Sequence, residues 1–364
     1  MLYFSFPLSG KGVPQYFVDR VVECLTGEHQ QILWQRQLTS PTERVRGIKQ
    51  GCPLSPYLFN LIMEAVLESV EDEVPNLKLN QEGQISLPLI LVFADDIIVI
   101  AETVEDLERI VSKLKEYLEF VGLNLNEDKC KVLVREPNAE AVDELVVLGR
   151  SYKTTEPLRY LGIYLTARLD RPMTIRTRCR TALRTSRIVL DFLRKYKPTW
   201  EVAKTVYESV IAPSIIYGTQ TAVLTKYSRK SMRGYERQLV QSMFKHCNAQ
   251  DRSRLPKSVK VLLNKRRVTK KVRIYQMRWW GHVRRRPRCH PLRAAARLRP
   301  RRLRSCRPGF TWRNSITQTM DRYGGDISYN DWKELAINKD QFHKKLLEIY
   351  EKDESDNSDS DWGK

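Results

Sequence analysis

Apolar residues recur at helical spacing in the first part of the chain. Phe17, Val21, Val22 and Leu25 predict an amphipathic helix over 12–25, with Pro14 in its first turn. Residues 31–46 alternate instead. They predict a hairpin with the arms ILWQRQL and ERVRGI. The loop GIKQGCPLSP then leads into a helix over Pro56–Val70, with Ser55 as its N-cap. The next segment, LPLILVFADDIIVI over Leu87–Ile100, reads as two apolar strands joined at an acidic turn. Val104–Val121 reads as an amphipathic helix closed by Gly122. LRYLGIYL over Leu158–Leu165 reads as a short strand pair. Helix and hairpin therefore alternate up to about residue 166. That order predicts an α+β layer, with helices packed on an antiparallel sheet. From Met173 to Cys247 the pattern is helical, with breaks at Pro198 and Pro213.

Charge divides the chain further. Residues 251–310 hold 22 Lys and Arg against one acid, Asp251; the remaining 41 basic and 42 acidic residues nearly cancel. One segment thus carries the net charge of +20, which points to a polyanionic partner, nucleic acid first among them. Prolines 287, 291, 300 and 308 interrupt that segment, and the acidic stretch 351–364 reads as a disordered tail. No apolar run is long enough to cross a bilayer and no leading segment reads as a signal peptide. Seven cysteines without a CxxC pair fit a reducing compartment.

Asp95 and Asp96 are the sharpest chemical signal. A carboxylate is costly in an apolar segment unless it is paired or binds a cation. A rigid turn presenting two hard oxygen ligands suits Mg²⁺, which takes one or two carboxylates plus substrate phosphates. A solvated turn with acids at its tip is the plain alternative.

The neighbouring motifs weigh against that alternative. Phe93-Ala94-Asp95-Asp96 resembles the polymerase active-site box of reverse transcriptases from non-LTR (LINE-type) retrotransposons. The run from Gly47 to Asn60 is similar to that family's loop-and-helix motif beside the incoming nucleotide. Gly122-Leu123-Asn124-Leu125-Asn126 with Lys129 resembles the next motif, and Arg159-Tyr160-Leu161-Gly162 resembles the primer-grip hairpin. Farther on, three segments look like the region after the polymerase: Ile216–Thr221, Arg278–Val283 and Arg307–Trp312.

The resemblance implies a polymerase palm over 1–166, a helical thumb over 167–250 and a basic nucleic-acid-binding region over 251–350. It implies RNA-directed DNA synthesis with RNA template, DNA primer and deoxynucleoside triphosphates as partners, and a nuclear location. Asp95 and Asp96 would ligate a two-ion Mg²⁺ site and Lys129 would face the departing pyrophosphate. Lys49, Gln50, Gly51, Pro53, Phe59, Asn60, Phe93 and Ala94 would face nucleotide or template. Tyr160, Leu161 and Gly162 would hold the primer. Arg278, Trp279, Trp280, Arg284, Arg285 and Arg286 would contact nucleic acid by stacking and charge.

One departure stands out. The family's third carboxylate comes from an earlier strand, in a pattern like Asp-x-x-x-Ala-Phe-Asp. The acids before Lys49 are Asp19, Glu23, Glu28 and Glu43, and none sits in that pattern. The expectation is an N-terminally truncated enzyme with an incomplete metal site and little activity. A catalytically inactive nucleic-acid-binding remnant is the alternative, and a product that never folds is a third.

Overall fold

The computed structural model describes residues 5–27, 29–43, 47, 51–74, 77–78, 86–134, 143–154, 156–166, 173–248, 259, 262, 267–297 and 311–351. It divides into two compact units: 1–132 with 142–154, and 133–141 with 155–364. Helices alternate with two-stranded antiparallel hairpins in the first unit, and helices dominate the second.

In the first unit the Ser55–Glu73 helix serves two small cores. Leu58 meets Leu8, Val18 and Val21 of the N-terminal helices Ser5–Gly10 and Gln15–Leu25. Ile62, Met63, Val66 and Val70 meet Ile110, Leu114 and Leu118 of the Val104–Phe120 helix. Those three recur every fourth residue, and each buried side chain contributes roughly 1.5–3 kcal/mol. Thr103 caps that helix by accepting the Asp106 N–H at 3.1 Å, and Gly122 ends it at φ +76°.

Several local expectations change. Ser55 is the first residue of its helix, its Oγ buried without a described partner; Leu54 occupies the cap position. Pro14 is likewise a cap residue, just before its helix. The early hairpin runs from His29 to Glu43 and turns at Gln35-Arg36, inside the segment expected to be one arm. Both turn residues are left-handed, a geometry that matches strand twist and joins strands across two residues.

In the second unit the Met173–Tyr196 helix stops before Pro198, as expected. Pro213 does not break the chain. A π-helical turn over Tyr207–Ile211 precedes it and the helix continues over Ala212–Ile216. Proline removes one N–H from the ladder, and a widened turn accommodates the loss. The break falls at Gly218, φ +74°.

The segment expected to be a free basic surface contains the central helix of this unit. Val268–Arg285 buries Val268, Val272, Ile274, Met277, Trp280 and Val283 against helices on either side. No described helix is long and apolar enough to cross a membrane.

Candidate functional site

Asp95 and Asp96 sit at the tip of the hairpin Ile90–Phe93 with Asp96–Val99. The pairs Phe93↔Asp96, Val92↔Ile97, Leu91↔Ile98 and Ile90↔Val99 leave Ala94 and Asp95 as a two-residue turn. Ala94 is left-handed at φ +54°, a conformation that costs an L-residue about 1–2 kcal/mol. Alternation sorts the side chains. Ile90, Val92, Ile97 and Val99 pack on the core formed by the two long helices. Leu91 and Phe93 lie on the other face, 40% and 62% exposed. The strands are thus half-buried rather than fully buried as the apolar run suggested. That resolves the energetic conflict: both carboxylates are solvent-exposed at the open end, and neither pairs with a cation among the described residues. Two exposed carboxylates without a cation are a suitable donor pair for a hard divalent metal.

Among the described residues no three His, Cys, Asp or Glu side chains converge as a metal site. Asp19 accepts from the Gln15 amide at 2.9 Å, and Glu23 pairs with Arg20 on its own helix. Glu28, Lys49 and Gln50 lie outside the described residues. Gly51 is exposed at φ +84°, a conformation that glycine adopts freely. Pro53 and Asn60 are exposed as well, whereas Phe59 packs partly against the core.

Lys129 ends the short 3-10 turn Glu127–Lys129. Its two neighbours are tied down: Glu127 pairs with Lys115 at 2.9 Å, and Asp128 with Arg150 at 2.7 Å. Lys115 therefore holds the Glu127 carboxyl below the usual range. Lys129 is exposed and makes no ion pair among the described residues. Arg150 follows the left-handed turn Leu148-Gly149, whose Leu148 N–H donates to Glu108 at 2.8 Å. This second hairpin, Glu144–Val147 with Arg150–Lys153, was not foreseen.

The second unit assembles motifs that are far apart in sequence. Tyr160, Leu161 and Gly162 form the turn of the Leu158–Tyr160 and Ile163–Leu165 hairpin. Arg178 on the Met173–Tyr196 helix donates to the Gly162 carbonyl at 2.7 Å and stacks on the Tyr217 ring at 4.5 Å. A Cβ on Gly162 would lie 2.0 Å from the Arg178 guanidinium. Burial pulls the Arg178 pKa down. Gln276 donates to the carbonyls of Thr219 at 3.2 Å and Ala222 at 2.7 Å. The Trp312 indole donates to Gln220 at 2.8 Å. The segment Ile216–Thr221 thus meets Gln276, two residues before Arg278–Val283, and Trp312 around one chain turn.

Trp279 and Trp280 part company. Trp280 is buried beside Phe342 and Tyr329, because its position on the helix faces the core. It therefore offers no face to a base, contrary to the expectation. Trp279 is half-buried and stacks on His282 at 5.2 Å. Arg285 is committed to the Ala336 carbonyl at 2.8 Å, and Arg278 stacks over Tyr275 at 5.7 Å. Arg284 and Arg286 stay near the end of the helix.

A basic face lies elsewhere. Arg176, Arg180, Arg184 and Arg187 are exposed along the Met173–Tyr196 helix, followed by Ile188, Phe192 and Tyr196. Residues four apart stand about 6 Å apart along a helix axis. None of the four arginines pairs with a carboxylate among the described residues. Their spacing of four, four and three residues was visible in the sequence; the grip of Arg178 on Gly162 and Tyr217 was not.

Residues 7–165 match the family described as reverse transcriptase (RNA-dependent DNA polymerase). The chain is 33% identical over 186 residues to the retrovirus-related Pol polyprotein from type-2 retrotransposable element R2DM of Drosophila melanogaster. That covers 48% of this chain and 16% of the relative. It is 38% identical over 95 residues to the Pol polyprotein from a type-1 retrotransposable element R2 of Nasonia vitripennis, covering 26% and 9%. It is 31% identical over 146 residues to the transposon TX1 uncharacterized 149 kDa protein of Xenopus laevis, covering 40% and 10%. The chain thus spans less than a fifth of each of these relatives.

Proposed function

We propose, from the match of residues 7–165 to the reverse transcriptase family, that the chain is the polymerase portion of a non-LTR retrotransposon protein, acting in RNA-templated DNA synthesis. One observation carries the reading: two exposed carboxylates, with no cation paired to them among the described residues, at the tip of a braced hairpin within the matched residues.

In this reading the first unit is the palm. Asp95 and Asp96 would hold Mg²⁺, which when bound activates the primer hydroxyl and neutralises the leaving phosphate. The core helices fix the hairpin so that both carboxylates stay in place. Phe93 and Leu91 offer an apolar face beside them for the sugar or base of the substrate. Gly51 lets the loop backbone come close to nucleotide or template, with Lys49 and Gln50 beside it in sequence. Lys129, on a braced turn and without an ion pair among the described residues, supplies positive charge near developing phosphate charge. The second unit would serve as thumb. Its Leu158–Leu165 hairpin, pinned by Arg178, would contact the primer, and the arginine face of the Met173–Tyr196 helix would follow the phosphate backbone. A nuclear location accompanies this reading.

Primer extension on an RNA template with Mg²⁺ tests it. Extension by the full chain that Asp95→Ala abolishes supports the enzyme. Salt-sensitive RNA binding without extension supports the second reading, a nucleic-acid-binding remnant. That second reading rests on the sequence: none of Asp19, Glu23, Glu28 and Glu43 sits in a pattern like Asp-x-x-x-Ala-Phe-Asp.

A further inference from the structure

No Asp or Glu occurs between Asp251 and Asp321, so the basic segment has no acid of its own. Within it the chain turns back after Val268–Arg285 into a short helix, Pro291–Ala295. That turn gathers arginines. Arg293 donates to the Arg286 carbonyl at 2.5 Å, which anchors it at the end of the long helix. Arg284, Arg297 and Arg288 stand close enough to depress its pKa, after burial as the largest cause. Arg284 Nε and Arg293 Nε are both buried without a described partner. Arg288 and Arg297 are exposed, and their side chains make no hydrogen bond or ion pair with a described residue.

Helix polarity explains part of this. The C-terminal end of a helix carries about half a negative charge and attracts one cation. It does not account for four guanidinium groups, which repel one another. Buried N–H groups without acceptors add a further cost. An anion with several acceptor oxygens would relieve both, and guanidinium forks match phosphate geometry.

We propose that Arg284, Arg288, Arg293 and Arg297 form a seat for one phosphate group of a nucleic-acid strand. The seat deepens the nucleic-acid reading above and rests on it. Nearby, the stacked pair of Trp279 and His282 adds an aromatic face for a base. Arg286 approaches His282 Nε2 at 3.4 Å, and burial with Arg286, Arg285 and His290 lowers the His282 pKa, so the ring stays neutral and stackable at pH 7.

The test uses the full chain and the double variant Arg288→Gln with Arg297→Gln, both at exposed positions. RNA binding is followed by fluorescence anisotropy against salt, and melting by calorimetry with and without inorganic phosphate at matched ionic strength. The seat predicts three results. The slope of log K against log salt falls by about 0.7 for single-stranded RNA. The rise in melting temperature with phosphate disappears. Without ligand at low salt the variant melts higher than wild type, because repulsion has been removed. Lysine at both positions restores the slope. An unchanged slope overturns the nucleic-acid seat, whatever free phosphate does. A phosphate effect lost in the variant, in a chain that binds no RNA, supports the phosphate site and overturns the nucleic-acid reading.

Discussion

Gly281 is expected to be irreplaceable in a helix where alanine would ordinarily be preferred. An added Cβ would lie 2.5 Å from Phe342 Cε1, 2.9 Å from its Cδ1 and 3.2 Å from Arg285 Nη1. The ring has little room to retreat. Phe342 is 2% exposed, with Trp280 centred 6.1 Å away and Trp332 at 6.2 Å. Arg285 is also committed, donating to Ala336 at 2.8 Å. Overpacking a core typically costs about 1–3 kcal/mol, and losing a hydrogen bond from a charged group about as much again. Helix propensity returns only about 1 kcal/mol for glycine to alanine. Gly281→Ala should therefore lose about 1–5 kcal/mol. Gly234 is the control: it is exposed within the Lys226–His246 helix and nothing lies within 4 Å of an added Cβ. Gly234→Ala should gain about 0.5–1 kcal/mol. Urea unfolding followed by tryptophan emission is well placed to measure both, since Trp34 is the only tryptophan of the first unit. At roughly 2–4 °C per kcal/mol for a unit of this size, the two melting temperatures should move apart in opposite directions. Equal stabilisation by both alanines would refute the packing around Gly281.

Further expectations follow from other positions. Glu236 is buried and accepts from Tyr207 at 2.7 Å and from the Val268 N–H at 2.8 Å, yet burial pushes its pKa up to about 7. The folded state then holds a proton that the unfolded chain releases near its ordinary value. The second unit should be most stable below about pH 4.5 as far as this group is concerned, and lose on the order of 3 kcal/mol as pH rises to 7. Glu236→Gln should flatten that slope in pH-dependent denaturation. Gln276→Ala leaves two carbonyls without their donor and opens a cavity, so a loss of about 2–4 kcal/mol by urea titration is expected. Ala94→Gly should stabilise the Asp turn by about 1 kcal/mol, while Ala94→Val should destabilise it further; equal melting temperatures for the two would contradict the left-handed turn.

Local pattern made much of the first unit legible. The Val104–Phe120 helix, its Gly122 stop and the Asp hairpin follow from periodicity and turn chemistry. Which face of that hairpin is buried was not legible, because both arms are apolar throughout and alternation carries no contrast there. The early hairpin was misregistered for a related reason: Gln35 and Arg36 are not turn-forming residues, so nothing in composition marks the reversal. Charge was the most misleading signal. Val268–Arg285 is rich in arginine and lysine, yet it is a core helix, and even Lys270 and Arg273 are buried in it. At the candidate site the hairpin tip that carries the two carboxylates was legible from its sequence. Arg178 was not, because its partners Gly162 and Tyr217 lie 16 and 39 positions away in sequence.

The hydrogen bonds of Gln276 and Trp312 to the Thr219–Ala222 segment have a consequence for chain continuity. The part before Asn248 and the part after Arg267 are joined by those bonds, by Ser315 accepting from Leu224 at 3.1 Å, and by Glu236 accepting from Val268. Cores shared between Tyr207, Met243 and Val272 reinforce them. The covalent link between the two parts is then dispensable for their association. A chain cleaved once between Asn248 and Arg267 should elute as a single particle, and two separately produced fragments should complement each other into one fold.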